Sequence, residues 1–180
     1  MGQPKGHVRL LFVLLCSGFI ALQKFETSGD SKPETCPVPF AANETISVFV
    51  FCFDRLLAVK RLMEQLGDQI LLPGMPFYHL YVVQDYDPMG RTTWKSVRAY
   101  VGGLGKAVPI HSHMRVTPVL HMQHMGLRET MLYTWLPADV SSGAIFLEDD
   151  IVVSPLLFYA AARFTAWYRR LARDLQRGLL

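Results

Sequence analysis

The chain has 180 residues, 51% of them hydrophobic and 18% charged, with a formal net charge of +3. That length and apolar content support one folded domain with a real core and exclude a disordered chain. The modest charge, dispersed except in the last segment, gives no support to nucleic-acid binding.

Lys5 and Arg9 precede an uninterrupted run of apolar or small residues from Leu10 to Leu22. Residues 1–22 therefore read as a secretory targeting element. The run is short for a membrane span, and Cys16-Ser17-Gly18 is an acceptable cleavage site; the alternative is a short signal anchor, with residues 10–22 holding a single-pass type II membrane protein. Either reading expects the secretory pathway, in the Golgi or ER lumen or as a secreted chain. Residues 23–45 are polar and turn-rich, with Pro33, Pro37 and Pro39, and read as a stem or linker. Asn43-Glu44-Thr45 is a glycosylation acceptor pattern. Cys16, Cys36 and Cys52 show no disulfide framework, and Cys52 reads as a small core hydrophobe.

From residue 46 onward strand and helix patterns alternate. Ile46 to Phe53 is almost wholly apolar, β-branched or aromatic, as a central strand is, and ends in Asp54-Arg55. Leu56, Val59, Leu62, Met63 and Leu66 recur at helical spacing up to Gly67. A second strand is expected over Tyr78 to Val83, ending in Gln84-Asp85. A second helix follows with Trp94, Val97, Tyr100 and Val101 on its apolar face, broken by Gly102, Gly103 and Gly105. A short third strand is expected around Ala107 to His111, and a third helix over His121 to Trp135 with Leu120, Leu127, Met131 and Trp135 on one face. Ala144 to Leu147 read as a further buried strand. Ser154-Pro155 then starts a last helix, Ser as cap and Pro at the first helical position. Its apolar stripe is Leu157, Ala161, Phe164, Trp167 or Tyr168, Leu171 and Leu175; Arg163, Arg169, Arg170, Arg173 and Arg177 read as a solvated face. The alternation predicts an α/β fold, a mostly parallel sheet with helices on both faces, over residues 46–180.

In such sheets ligands bind beyond the carboxyl ends of the strands. Asp54-Arg55, Gln84-Asp85 and Glu148-Asp149-Asp150 each follow a predicted strand, so they are expected to converge on one edge as a pocket. Three adjacent carboxylates at the end of a buried strand repel one another unless a cation sits there. A divalent ion, Mg²⁺ or Mn²⁺, suits hard oxygen ligands and leaves positions for substrate phosphates. The plainer reading is a solvated acidic loop.

Two other patterns are set aside. Gly102-Gly103-Leu104-Gly105-Lys106 lacks the spacing and the following Ser or Thr of a phosphate loop, and follows a helix rather than a strand. His111, His113, His121 and His124 have zinc-compatible spacings, but Pro118 separates the two pairs and no cysteine lies near. An intermediate reading has one of these histidines contacting substrate from the loop before the third helix. Met114, Met122, Met125 and Met131 read as core filler.

The stretches ISVFVFCFDR at 46–55, YVVQDYD at 81–87 and AIFLEDDIVVSP at 144–155 resemble the nucleotide-sugar-dependent glycosyltransferases of the GT-A fold, particularly the luminal N-acetylglucosaminyltransferase I type and related family 2-like enzymes. The last stretch resembles that family's metal motif over a dozen residues, and the resemblance runs from Ile46 to the carboxyl end. It implies a three-layer, Rossmann-like nucleotide-sugar-binding domain in which Asp150 coordinates Mn²⁺ (or Mg²⁺) between the phosphates of a UDP-sugar, UDP-GlcNAc being one candidate. Glu148 and Asp149 would contact the sugar and ribose side, Asp54 and Arg55 would hold the nucleotide, and Asp85 would sit near the uridine pocket. The acceptor would be a glycan or glycoprotein. In the family the acceptor half and the catalytic carboxylate lie downstream of the metal motif, whereas here Asp174 is the sole carboxylate after Asp150 and falls in a predicted helix. The expectation is therefore a donor-binding half, truncated, with no catalytic base assigned. Two alternatives stand beside it: a non-catalytic sugar-nucleotide or partner-binding fragment, and a secreted protein with an acidic calcium loop.

Overall fold

The computed structural model describes residues 44–104, 113–134 and 143–176. The expected targeting element, nearly all of the expected linker, the strand expected at 107–111, Gly105-Lys106, His111, Trp135 and Arg177 lie outside the described residues. Among the described residues four strands alternate with four helices: β1 (Thr45–Cys52), α1 (Leu56–Gly67), β2 (Phe77–Gln84), α2 (Thr92–Leu104), β3 (Met114–Leu120), α3 (Leu127–Thr134), β4 (Ala144–Glu148) and α4 (Leu157–Gln176). All neighbouring strands are parallel, in the order β3-β2-β1-β4. This is an α/β fold with a parallel sheet flanked by helices, consistent with a GT-A (Rossmann-like) domain.

The sheet is apolar on both faces because the strands alternate two apolar sets. Ile46, Val48 and Val50 of β1, Tyr78, Leu80 and Val82 of β2, and Ile145 and Leu147 of β4 share one cluster with Val59, Leu62 and Leu66 of α1, Val97 and Val101 of α2, and Phe158 and Ala162 of α4. Across the other face runs an aromatic ladder. Phe49 is in register with Tyr81 on one side and Phe146 on the other, and its ring stacks on theirs at 4.9 and 5.5 Å between centroids. Cross-strand aromatic pairs of this kind contribute about 0.5–1.5 kcal/mol each beyond the area they bury.

α4 is tied down by polar contacts as well. The Tyr78 hydroxyl donates to the Phe158 carbonyl at 2.8 Å, and Gln69, just past α1, accepts from the Phe158 amide at 3.1 Å while donating to the Ser154 carbonyl at 2.8 Å. Gln69 thus serves one of the open first-turn amides of α4. Ser154 accepts from the Leu156 amide at 3.2 Å, and the helix begins at Leu157 rather than at Pro155.

One described strand adds to the expected elements, and three further expectations are corrected. The third described strand is Met114–Leu120, containing Pro118 opposite Val82; proline is tolerated there because β3 is an edge strand that needs no donor on its outer side. α3 starts at Leu127 and not at His121, because β3 runs to Leu120 and Gly126 takes φ +80°. α2 continues through Gly102 and Gly103 to Leu104, with Gly102 packed near Leu120. The inward face of α4 centres on Phe158, Ala162 and Ala166; Leu157 and Ala161 of the expected stripe pack against the core beside it, whereas Phe164 and Trp167 are exposed. Small residues let the helix approach the sheet closely, which turns the large ones outward.

Candidate functional site

The strand order reverses between β1 and β4: β2 and β3 extend the sheet to one side of β1, and β4 lies on the other. In an open parallel sheet that reversal parts the connecting loops and leaves a crevice beyond the strand ends. A cavity of about 260 Å³ lies there, beneath α3. Phe51, Val83 and Leu127 supply apolar walls; Arg55, Asp85, His124, Thr130, Glu148 and Asp149 supply polar ones.

The junction of β1 with β4 carries the charge. Arg55 Nη2 lies 2.5 Å from Asp149 Oδ1, and its Nη1 donates to Asp150 Oδ2 at 2.7 Å. Asp149 is closed off, with 1% of its side chain exposed, whereas Asp150 and Arg55 are half exposed at 48% and 52%. Burial raises the pKa of Asp149 despite the opposing pull of Arg55 and the Phe53 amide. For Arg55, burial disfavours the charge, but the bond to Asp150 and the two carboxylate charges outweigh it and raise the pKa. Thr130 is likewise buried, and its hydroxyl has no hydrogen-bond partner among the described residues.

Asp85 organises the opposite wall. Its carboxylate accepts from the amides of Tyr86 at 2.8 Å, Met125 at 3.0 Å and Gly126 at 2.9 Å. His124 Nδ1 lies 2.8 Å away and His121 Nδ1 3.6 Å away. Burial alone would raise the pKa of Asp85; the three amides and His124 more than reverse that and lower it. Because the Gly126 carbonyl in turn accepts from the Thr130 amide at 3.0 Å, Asp85 sets where α3 starts and so where Thr130 stands.

Asp54 does not line the cavity. It lies 3.1 Å from Arg91, which also reaches Asp87 at 2.9 Å and stacks over the Phe53 ring at 4.9 Å. Asp87 is held ionised: burial opposes it, but bonds from Arg91 and Met89 lower its pKa. The site residues expected from the sequence therefore divide. Arg55, Asp85, Glu148 and Asp149 meet at the cavity, Asp150 joins them through Arg55, and Asp54 belongs to a neighbouring ion-pair network. Among residues with no expected site role, Thr130 and Leu127 also line the cavity, while Phe53 borders both groups. His124, from the loop before α3, lines it as well. A backbone staple such as the Asp85–Gly126 contact spans 41 residues, and no local pattern signals it.

A resident metal in a complete protein cage finds no match here, since no group of three His, Cys, Asp or Glu side chains gathers among the described residues. The donor set does fit a hard divalent ion of the kind that keeps its waters and takes substrate phosphates, for which one or two carboxylates suffice. Asp150, half exposed beside buried Asp149, is the group to offer those oxygens.

Neither a protein-family profile nor a curated protein matches the chain. Among solved structures it is similar to the crystal structure of S. aureus TarS 1-349, with a TM-score of 0.43 and 15% identity over 67% of this chain and 32% of that one. A second structure of S. aureus TarS gives a TM-score of 0.43 and 17% identity over 67% of this chain and 19% of that one. The chain thus spans a third or less of the structures it resembles. Likeness at this level says nothing about activity.

Proposed function

We propose that the chain is the donor-binding part of a metal-dependent glycosyltransferase that takes a UDP-sugar, with UDP-GlcNAc a candidate, and serves a glycan or glycoprotein acceptor in the lumen of the secretory pathway. The observation that carries this reading is the cavity at the strand-order reversal, where the Arg55–Asp149–Asp150 charge cluster stands beside the buried Thr130 hydroxyl, which has no hydrogen-bond partner among the described residues. A buried hydroxyl left unmatched costs about 1–3 kcal/mol, and a polar ligand that matches it recovers that cost. A cavity of about 260 Å³ suits one ring system with its substituents, with the rest of a sugar nucleotide extending along the crevice.

Each residue has a role in this reading. Phe51, Val83 and Leu127 exclude water from the bound ring, and Thr130 and Asp149 match its polar edge. Asp85 positions α3 and leaves little free capacity for the ligand, since backbone amides and His124 use its oxygens. Arg55 stands at the start of α1, which has no side-chain cap, so a diphosphate there meets both the guanidinium and open helix amides. Glu148, with no salt bridge to a described residue, accepts from a sugar hydroxyl. A divalent ion on Asp150 would supply neutralisation of the charge that grows on the leaving diphosphate. No residue described here is assigned as the base that activates the acceptor hydroxyl.

Calorimetric titration of UDP into the folded full chain tests the reading. Binding that strengthens with Mn²⁺ is expected; binding with no preference for UDP over unrelated anions contradicts it. A non-catalytic nucleotide-binding role is the second reading, favoured by the absence of an uncommitted cavity carboxylate other than Glu148 among the described residues. It expects the same UDP binding with no transfer or hydrolysis of the sugar.

A further inference from the structure

We infer that Arg55 is an internal counterion that closes the cation position at Asp149 and Asp150 until a phosphate group draws its guanidinium away, so that divalent-metal binding is conditional on the nucleotide. The inference rests on the reading of the site as a metal–nucleotide site, and concerns the order in which its charges exchange.

The geometry is specific. One guanidinium spans two adjacent carboxylates, 2.5 Å from Asp149 and 2.7 Å from Asp150, and so stands where an ion on the same oxygens would have to stand. A divalent ion placed on Asp150 with Arg55 still bound would put like charges within a few ångströms of each other. No third ligating side chain gathers among the described residues to offset that repulsion. A bare ion therefore finds the carboxylates already neutralised. A diphosphate changes the balance. Its oxygens match the guanidinium fork as well as a carboxylate does, and Arg55, half exposed, can turn without leaving a cavity behind. As it moves to phosphate, Asp150 is freed for the ion, and the phosphate supplies the remaining hard oxygens. Asp149 stays buried, so the exchange must keep it neutralised, either by partial retention of Arg55 or by the incoming ion.

This device makes metal binding and nucleotide binding reciprocal. It also predicts an unusual mutant: removing a residue of the binding site should improve one ligand's affinity. The test is Mn²⁺ binding to the full chain, read from the electron paramagnetic resonance of free Mn²⁺, without and with UDP, for wild type, Arg55→Gln and Arg55→Lys. Without UDP, Arg55→Gln should bind Mn²⁺ about tenfold more tightly than wild type, the gain being limited by solvent screening at a half-exposed site. Wild type should approach that affinity only when UDP is present. Arg55→Lys keeps a charge but cannot span both carboxylates, and should fall between the two; it carries the test if Arg55→Gln, which leaves Asp149 buried without a counterion, fails to fold. Adding Asp150→Asn to either variant should remove the gain. Mn²⁺ affinities in folded variants no better than wild type overturn the inference, even where UDP binds. If the variants gain Mn²⁺ while UDP binds none of the chains, the counterion role is supported and the nucleotide reading of the site is what falls.

Discussion

Thr130 sits on α3 with its hydroxyl buried and unmatched among the described residues, so its two possible costs can be separated. Thr130→Val removes the hydroxyl at constant shape. Stability in urea should hold or rise by up to about 1 kcal/mol, while UDP affinity should fall about fivefold, the size of one neutral hydrogen bond. Lost stability with unchanged UDP affinity would mark the hydroxyl as structural. Asp150→Ala should abolish the Mn²⁺ dependence of UDP binding and leave the fold intact, because Asp150 is half exposed; unchanged dependence would remove the cation from the account. Among site residues the sequence made Arg55, Glu148, Asp149 and Asp150 legible because each directly follows or ends a strand whose hydrophobic run is unambiguous. Asp54 follows the same strand but turns to Arg91, and that partner comes from the segment opening α2, nearly forty residues on, where no spacing rule reaches. Thr130 carries no sequence signal at all: a threonine in a short helix becomes informative only when its surroundings leave it without a partner.

At the scale of elements, the joint that matters is β2–loop–α3. Asp85 holds it with three backbone bonds, so Asp85→Ala should cost about 1–3 kcal/mol by leaving buried amides unmatched, with UDP affinity falling because α3 loses its anchor. Chemical denaturation and titration on the same variant measure both. The acid limb of stability follows from sign. Asp85 and Asp87 both have folded pKa values below the ordinary carboxylate value. Their stabilisation is therefore present in full above that value and is lost as pH falls through the depressed folded ones. Asp149 runs the other way: its folded pKa is raised, so protonation on the acid side relieves a cost. Asp85→Asn should flatten the acid loss of stability and Asp149→Asn should steepen it, as followed by thermal melts across acid pH. Elements β1, β2, α1 and β4 were legible because strands buried on both faces read as continuous apolar runs and α1 shows clean helical spacing. β3 was not, because Pro118 and mixed polarity at a sheet edge hide a strand. The start of α3 was not either, because a side chain 41 residues away fixes it.

For the molecule as a whole, the order β3-β2-β1-β4 is what turns three polar strand ends into one site, since only the reversal beside β1 opens a crevice into which β1, β2 and β4 all deliver side chains. The sequence implied the class of sheet and the edge on which the clusters would meet. It could not supply the strand order, which depends on which crossover packs on which face. Phe49, central in the aromatic ladder and 3% exposed, supports the face of the sheet beneath the site; Phe49→Ala should cost about 3–5 kcal/mol and reduce the folded fraction rather than UDP affinity per folded molecule. The central claim is that this crevice holds a metal-assisted nucleotide. Titration of UDP into the full chain by calorimetry, with and without Mn²⁺, tests it most directly. The account predicts binding that Mn²⁺ strengthens and that Asp150→Ala renders metal-independent; a folded chain that binds no UDP under either condition would contradict it.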